Sequence, residues 1–338
     1  MKTILLIDST LRDGNHAIRH QLNKDQIVKY AAAADQAGIP ILIVGHGNGL
    51  GASSLQIGES LLSDKDMINF AKGQLKKTKL GVYCIPGFAT VKRDIGPAID
   101  LGVDVFCVGC HCTEADTTQS HIGYIRKRDK IVYSCLMMVH MIPQELLLQE
   151  CLKAQSYGSS GVILMDSAGT LLPSDVKERV EFLVGKLDIP VGFHAHNNLG
   201  MAAANSVAAW EAGAGILDAC SRGFGAGSGN AQLEVLVAIL SRMGVETGVD
   251  LYKMLDASDL LEHEIAATLP VTTSTGIVSG MAGVFSGFIK HVERISTQYG
   301  VDVRDVLFEL GKRKVVAGQE DLIVQTTIDL AEKLRRSE

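Results

Sequence analysis

Apolar, strand-like runs alternate with helix-like runs eight times between residues 4 and 243. Such alternation is typical of βα units, which build parallel sheets covered by helices. Eight units of regular length predict a closed (β/α)8 TIM barrel in the α/β class, and an open, doubly wound sheet is the alternative. The predicted strands span 4–7, 39–44, 79–85, 103–108, 131–139, 161–164, the run that contains His194, and 216–219.

The chain is longer than a barrel needs. It has 338 residues, whereas a TIM barrel typically takes ~250. After Gly248 the pattern changes, and helix-like segments follow one another at 251–268, 281–299, 303–310 and 319–336. We therefore expect a catalytic barrel domain over 1–247 and a helical C-terminal domain over 248–338.

Composition argues against several classes of protein. Hydrophobic residues make up 46% of the chain, which allows a large core, and the net charge of −6 argues against a nucleic-acid partner. No apolar run approaches the ~18 residues that a membrane span needs. Seven cysteines, several of them inside apolar runs, and the absence of a signal-peptide layout predict a reduced, cytoplasmic protein.

The strongest chemical signal is a pair of histidines in the seventh predicted strand. His194 and His196 are separated by one residue, so their side chains share one face of the strand. Two neutral imidazoles need a carboxylate to complete a three-ligand metal site, and Asp13, just after the first strand, is the best candidate. Asp8 competes with it, but we expect Asp8 to anchor the following loop. Such a trio suits Mn, Mg, Zn or Fe(II).

Two residues beside this trio have chemistry of their own. Arg12 could clamp a substrate carboxylate or a developing enolate oxygen, and a plain ion pair with Asp8 or Asp13 is the alternative. His16 could act as a general base, and a supporting contact is the alternative. No lysine follows any predicted strand, so a Schiff-base mechanism lacks a nucleophile.

Two glycine- or cysteine-rich segments do not match common motifs. The loop 225–230 contains G-x-G-x-G, but it follows the eighth strand rather than the first, so it does not predict dinucleotide binding. We expect a tight loop whose amides bind an anion or brace the metal site. The segment 110–112, Cys-His-Cys, lacks the spacing of a zinc motif.

The chain resembles the metal-dependent 4-hydroxy-2-oxovalerate aldolases nearly from end to end. The segments that carry the resemblance are 8–20 (DSTLRDGNHAIRH), 45–50 (GHGNGL), 111–116 (HCTEAD), 138–143 (MVHMIP), 194–198 (HAHNN), 225–231 (GAGSGNA) and 318–321 (GQED). The first and fifth are shared with a wider family that includes 3-hydroxy-3-methylglutaryl-CoA lyase and the isopropylmalate and homocitrate synthases.

The resemblance implies a role for each residue of the site. Asp13, His194 and His196 would hold a divalent metal, usually Mn²⁺, with Mg²⁺, Co²⁺ or Zn²⁺ as alternatives. Arg12 would steady the pyruvate enolate and His16 would act as base. The position of Ser167 would lie against the pyruvate carboxylate. The resemblance also implies a homo- or hetero-oligomer and an acylating aldehyde dehydrogenase as partner.

The sequence departs from the aldolases at two positions of the site. The aldolases carry a tyrosine where this chain has Phe285, and leucines where it has Tyr83-Cys84-Ile85. The hydroxyl of Tyr83 could compensate for the missing one, with Tyr83 and Phe285 reshaping the aldehyde pocket. Alternatively, Tyr83 points into the barrel wall and the pocket is more apolar.

The leading hypothesis is an aldolase that cleaves a 4-hydroxy-2-oxo acid to pyruvate and an aldehyde. An acyl-CoA lyase or synthase of the wider family is one alternative, but loop 225–230 has no cysteine for the lyase role, and the C-terminal part is shorter than the synthases' regulatory module. A non-catalytic partner subunit is another, which the complete set of candidate residues argues against.

Overall fold

Eight parallel strands close into a barrel in the computed structural model, which describes residues 4–316 and 318–337. Each strand pairs with the next, and β8 returns to pair with β1. The predicted TIM barrel is therefore confirmed. The strands are β1 Leu5–Leu11, β2 Ile41–Val44, β3 Lys79–Cys84, β4 Val105–His111, β5 Ile131–Met137, β6 Gly161–Asp166, β7 Val191–Ala195 and β8 Ile216–Ala219.

One α-helix follows each strand and covers the outside of the barrel. These helices are α1 Lys24–Ala37, α2 Asp64–Lys72, α3 Gly96–Asp100, α4 Gln119–Arg126, α5 Gln144–Ser156, α6 Pro173–Val184, α7 Ala202–Glu211 and α8 Leu233–Arg242. At α1, Asn23 and Gln26 form a reciprocal capping box, and Gly38 ends the helix with a left-handed φ of 77°.

The first strand is longer than predicted. Its extra residues carry the chain to the carboxyl end of the barrel, where Arg12 and Asp13 follow it. The prediction ended it at Ile7 because the next three residues are polar, but β1 continues through Asp8 to Leu11, which pairs with Val44. The buried Asp8 carboxylate accepts the Thr10 N–H at 2.9 Å and the Tyr30 hydroxyl at 2.7 Å. Internal partners therefore satisfy these polar groups, and the strand can stay buried.

The C-terminal part is helical, as predicted, but it has one helix more than the four that were predicted, namely α10. Its helices are α9 Leu251–Leu260, α10 Ser274–Ala282, α11 Ile289–Tyr299, α12 Val303–Lys312 and α13 Glu320–Ser337. Before α9 begins, the Asp250 N–H donates to the Ala37 carbonyl of α1 at 2.9 Å. Helices α10 to α13 share a separate apolar cluster. In the described part of the chain, no helix is both long and apolar enough to cross a membrane.

The prediction of one helix over 281–299 is wrong. Helix α10 ends at Ala282, Gly283 adopts a left-handed φ of 65°, and a short 3-10 turn over Ser286–Phe288 precedes α11. The break turns Phe285 towards the barrel. The domain boundary at 247/248 stays a prediction.

Candidate active site

The three predicted metal ligands meet at the carboxyl end of the barrel. Asp13 lies in a 3-10 turn directly after β1, His194 lies on β7, and His196 follows one residue beyond that strand. One ligand atom from each residue lies within 4.8 Å of the others, and all three residues are buried. Because alternate residues of a strand share a face, the two imidazoles lie together, with ring centroids 5.1 Å apart.

The protonation of this trio fits a metal ion. Burial lowers the pKa of His196 to about 3, although Asp13 opposes the shift. Burial disfavours the charged form of Asp13, but the neighbouring Arg12 guanidinium holds the pKa of that carboxyl well below its usual range. The Nε2 atom of His194 is buried without a hydrogen-bond partner. Neutral imidazoles and an ionised carboxylate are the donor set of a divalent metal, so the residues fit one.

Two supporting residues escaped the sequence analysis. Asp218 on β8 is paired with His194 in the sheet, and its Oδ2 lies 3.1 Å from the Nδ1 of that histidine. Asn230 donates from Nδ2 to Oδ2 of Asp13 at 2.6 Å. A carboxylate at the end of β8, the strand beside the histidine pair, was the available signal for Asp218.

The glycine-rich loop after β8 braces the carboxylate, one of the two roles expected for it. The Ala226 N–H donates to Oδ2 of Asp13 at 3.3 Å. A Cβ built on Gly225 would lie 2.6 Å from that oxygen and 2.3 Å from Nδ2 of Asn230. Only glycine therefore allows the loop to approach Asp13 so closely.

Arg12 forms an ion pair with Asp13, one of the two partners that the sequence left open, and one of its N–H donors stays without a partner. Its Nη1 donates to Oδ1 of Asp13 at 2.8 Å, and its Nη2 lies 4.0 Å from Oδ2 of Asp218. The guanidinium carbon lies 4.5 Å from the centroid of the Tyr83 ring. Its Nε is buried without a hydrogen-bond partner. The ion pair therefore orients the guanidinium without using every N–H.

His16 lies beside the trio, half-buried, and faces the same cavity. Its ring occupies the space left by Gly47, because a Cβ there would lie 2.4 Å from the imidazole. Burial lowers the pKa of His16, although Asp13 opposes the shift, so the ring is neutral at pH 7 and can accept a proton. Behind it, the rings of His20 and His46 stack with centroids 3.6 Å apart.

One cavity of about 530 Å³ connects these groups. The predicted residues on its wall are Arg12, Asp13, His16, Tyr83, Ser167, His196 and Phe285, and His194 completes the trio. The Ser167 hydroxyl accepts the Met138 N–H at 3.2 Å, and the Ser167 carbonyl accepts the Ser286 N–H at 3.0 Å. The second bond ties the segment that contains Phe285 to the rim of the barrel. The structure thus brings all eight predicted residues together, while their individual roles stay predictions.

Comparisons with solved structures give the same fold. The carboxyl transferase domain of Rhizobium etli pyruvate carboxylase has a TM-score of 0.81 with this chain at 15% identity. The match covers 98% of this chain and 61% of that chain. At this identity the likeness shows the fold alone.

Comparisons of sequence are more specific. Residues 3–261 match the HMGL-like family, and residues 270–332 match the DmpG-like communication domain. The 4-hydroxy-2-oxovalerate aldolase of Spirochaeta aurantia is 56% identical over 98% of this chain and 98% of its own length. That of Pectobacterium atrosepticum is 52% identical over 99% of this chain and 98% of its own length. This chain therefore belongs to the HMGL-like family and, within it, to the 4-hydroxy-2-oxovalerate aldolases.

Proposed function

We propose that this protein is a divalent-metal-dependent (class II) aldolase that cleaves a 4-hydroxy-2-oxo acid such as 4-hydroxy-2-oxovalerate to pyruvate and an aldehyde. The observation that carries the proposal is the trio of Asp13, His194 and His196, which lies beside Arg12 and His16 in one cavity. Mn²⁺ is the proposed metal, because it is the usual one in the aldolases that the chain resembles. Mg²⁺, Co²⁺ and Zn²⁺ are alternatives, because a carboxylate and two imidazoles accept each of these ions.

The trio is the proposed site of activation. A divalent cation held by Asp13, His194 and His196 would supply a Lewis acid that polarises the 2-oxo group of the substrate. Ser167 lies across the same cavity and would orient the substrate carboxylate through its hydroxyl.

Bond cleavage would depend on His16 and Arg12. The neutral His16 imidazole would take the proton of the C4 hydroxyl, and the C3–C4 bond would break as the C4 oxygen becomes the aldehyde. The bonding electrons would pass to the three-carbon fragment as an enolate, whose oxygen the Arg12 guanidinium would stabilise. Protonation at C3 by the proton that His16 took from the C4 hydroxyl would then give pyruvate and return His16 to its neutral form.

The C-terminal helices provide the evidence for a partner protein. Residues 270–332 match a DmpG-like communication domain, and this match supports an acylating aldehyde dehydrogenase that receives the aldehyde product. A homo- or hetero-oligomer is proposed with it. All seven cysteines are free and buried, which supports the proposed location in the cytoplasm.

The alternatives have less support. An acyl-CoA lyase is disfavoured because loop 225–230 has no cysteine, and the relatives named above are aldolases. A non-catalytic subunit would have no need of the half-buried His16 and the buried Arg12 guanidinium beside the trio.

A coupled assay of pyruvate release from 4-hydroxy-2-oxovalerate tests the proposal. The wild-type protein with Mn²⁺ should release pyruvate, whereas His196→Ala should lose both metal and turnover while its circular dichroism spectrum is retained. His111→Ala is the matched control, because His111 lines the same cavity outside the trio, and it should keep the metal. Full metal content and normal turnover in His196→Ala would contradict the proposal.

A further inference from the structure

The Tyr83 hydroxyl is held inside the barrel. It donates to Sδ of Met165 at 3.5 Å, and Tyr83 is only 3% exposed. It occupies a gap left by Gly109, because a Cβ built on that glycine would lie 2.0 Å from the phenol oxygen. The ring of Tyr83 forms part of the cavity wall, but its polar end is already hydrogen-bonded.

Phe285 brings no hydroxyl to the opposite wall. Its segment is fixed in place, because the Ser286 N–H donates to Ser167, and Nε2 of His140 lies 3.2 Å from the Gly283 carbonyl oxygen. The ring of Phe285 is half-buried and packs edge-to-face on Phe288, with centroids 5.5 Å apart. Neither aromatic residue therefore offers a free hydroxyl proton to a substrate.

Large apolar side chains continue the wall from these two rings. Those that line the cavity while staying half-buried are Ile57, Ile85, Phe88, Met137 and Phe285. Half-buried apolar side chains that face one cavity are typical of a site for an apolar ligand group.

Most polar groups lie towards the two ends of this wall, and Glu320 of α13 lines the cavity as well. At the first end, the metal trio, Arg12 and His16 lie at the carboxyl ends of β1 and β7. Asn48 lines the cavity on the same side. Across the barrel, His111 ends β4, and the exposed Glu114 and Thr117 follow it at the mouth. A molecule held by its 2-oxo acid group at the first end would extend its other half along the apolar wall.

The cavity is also larger than a five-carbon acid requires. Its volume of about 530 Å³ falls within the roughly 300–1,000 Å³ that is typical of sites for drug-sized ligands. A two-carbon aldehyde would leave most of the apolar wall in contact with water.

We propose that the preferred aldehyde of this enzyme carries an apolar chain longer than that of acetaldehyde. The chain packs on Ile85, Phe88, Met137 and the rings of Tyr83 and Phe285. This inference rests on the proposed aldolase function and names the substrate class of the same site.

Competition between aldehydes for pyruvate tests the proposal. The protein with Mn²⁺ and pyruvate receives equimolar acetaldehyde, butanal, hexanal and glycolaldehyde, and mass spectrometry measures the relative kcat/KM for each adduct. We expect kcat/KM to rise about fourfold for each added methylene that is buried, which corresponds to ~0.8 kcal/mol. Glycolaldehyde, which is short and polar, should be the poorest substrate.

A variant of the wall provides a second readout. Phe88→Ser should lower the ratio of hexanal adduct to acetaldehyde adduct several-fold. Phe308→Ser is the matched control, because Phe308 lies on α12, is 39% exposed and does not line the cavity, and it should keep the ratio.

The outcomes separate the two proposals. A preference for acetaldehyde or glycolaldehyde overturns the apolar-chain inference and leaves the aldolase function standing. The absence of any adduct in the presence of Mn²⁺ overturns the aldolase function, and the inference with it.

Discussion

Nδ1 of His194 lies 3.1 Å from Oδ2 of Asp218, and both side chains are buried. The two residues are neighbours in the pairing of β7 with β8. The two atoms lie close without hydrogen-bond geometry, and a carboxylate this near to Nδ1 favours a proton on that nitrogen, which leaves the lone pair of Nε2 for a metal ion. We therefore propose that Asp218 orients the metal ligand His194 without being a ligand itself.

Asp218→Asn should weaken Mn²⁺ binding by about 10–100-fold, the usual cost of losing such a supporting carboxylate. Isothermal titration with Mn²⁺ alone measures this without any turnover. Asp188→Asn is the control, because Asp188 is exposed and precedes β7 at the opposite end of the barrel. Equal metal affinity in the wild-type protein and in Asp218→Asn would show that the contact has no role in ligation.

His16→Ala and Arg12→Ala should fail in different ways. Loss of a general base typically costs ~10²–10⁴ in rate, so His16→Ala should slow aldol cleavage while its affinity for oxalate, which mimics the enolate of pyruvate, stays near that of the wild type. Arg12→Ala should lower both, because the guanidinium would contact the enolate itself. Steady-state kinetics and oxalate inhibition measure the two effects, and small, equal losses in both variants would count against these roles.

The pH dependence of cleavage should report His16. Burial holds the pKa of His16 below its usual value of 6.5. Because the neutral ring is the proposed base, kcat/KM should fall as the pH drops through this lowered pKa, so the acid limb should lie below pH 6.5. The limb should be absent in His16→Ala, and a limb at or above pH 6.5 would contradict the assignment.

The Tyr83 hydroxyl gives a test of the two hypotheses that the sequence left open. If Tyr83 compensates for Phe285, then Tyr83→Phe should strongly reduce activity, and Phe285→Tyr in that background should recover part of it. The bond from Tyr83 to Met165 supports the apolar-wall alternative. We therefore expect Tyr83→Phe to cost at most the ~0.5–1.5 kcal/mol of one hydrogen bond, with no recovery on adding Phe285→Tyr. Kinetics with the best aldehyde would decide between them.

The parts of the site that local pattern controls were predictable from the sequence. The shared face of His194 and His196 follows from the two-residue period of a strand, and Asp13 meets them because the carboxyl ends of barrel strands converge. The contact of Asp218 with His194 depends on the register between β7 and β8, which no local pattern specifies.

The same limit explains what the sequence missed elsewhere. The fit of Tyr83 against Gly109 joins neighbouring strands β3 and β4 and needs their three-dimensional spacing. The break after Ala282 depends on Gly283 taking a left-handed φ, and a glycine in a helical pattern does not by itself reveal that conformation.

The most direct test of metal-dependent chemistry is pyruvate release after metal removal, with sodium borohydride present in a parallel reaction. None of the described residues that line the 530 Å³ cavity is a lysine, so a Schiff base has no nucleophile there. We predict that EDTA abolishes pyruvate release, that Mn²⁺ restores it, and that borohydride with pyruvate leaves no covalent adduct. Pyruvate release that survives EDTA, together with a pyruvate-labelled lysine peptide, would contradict the account.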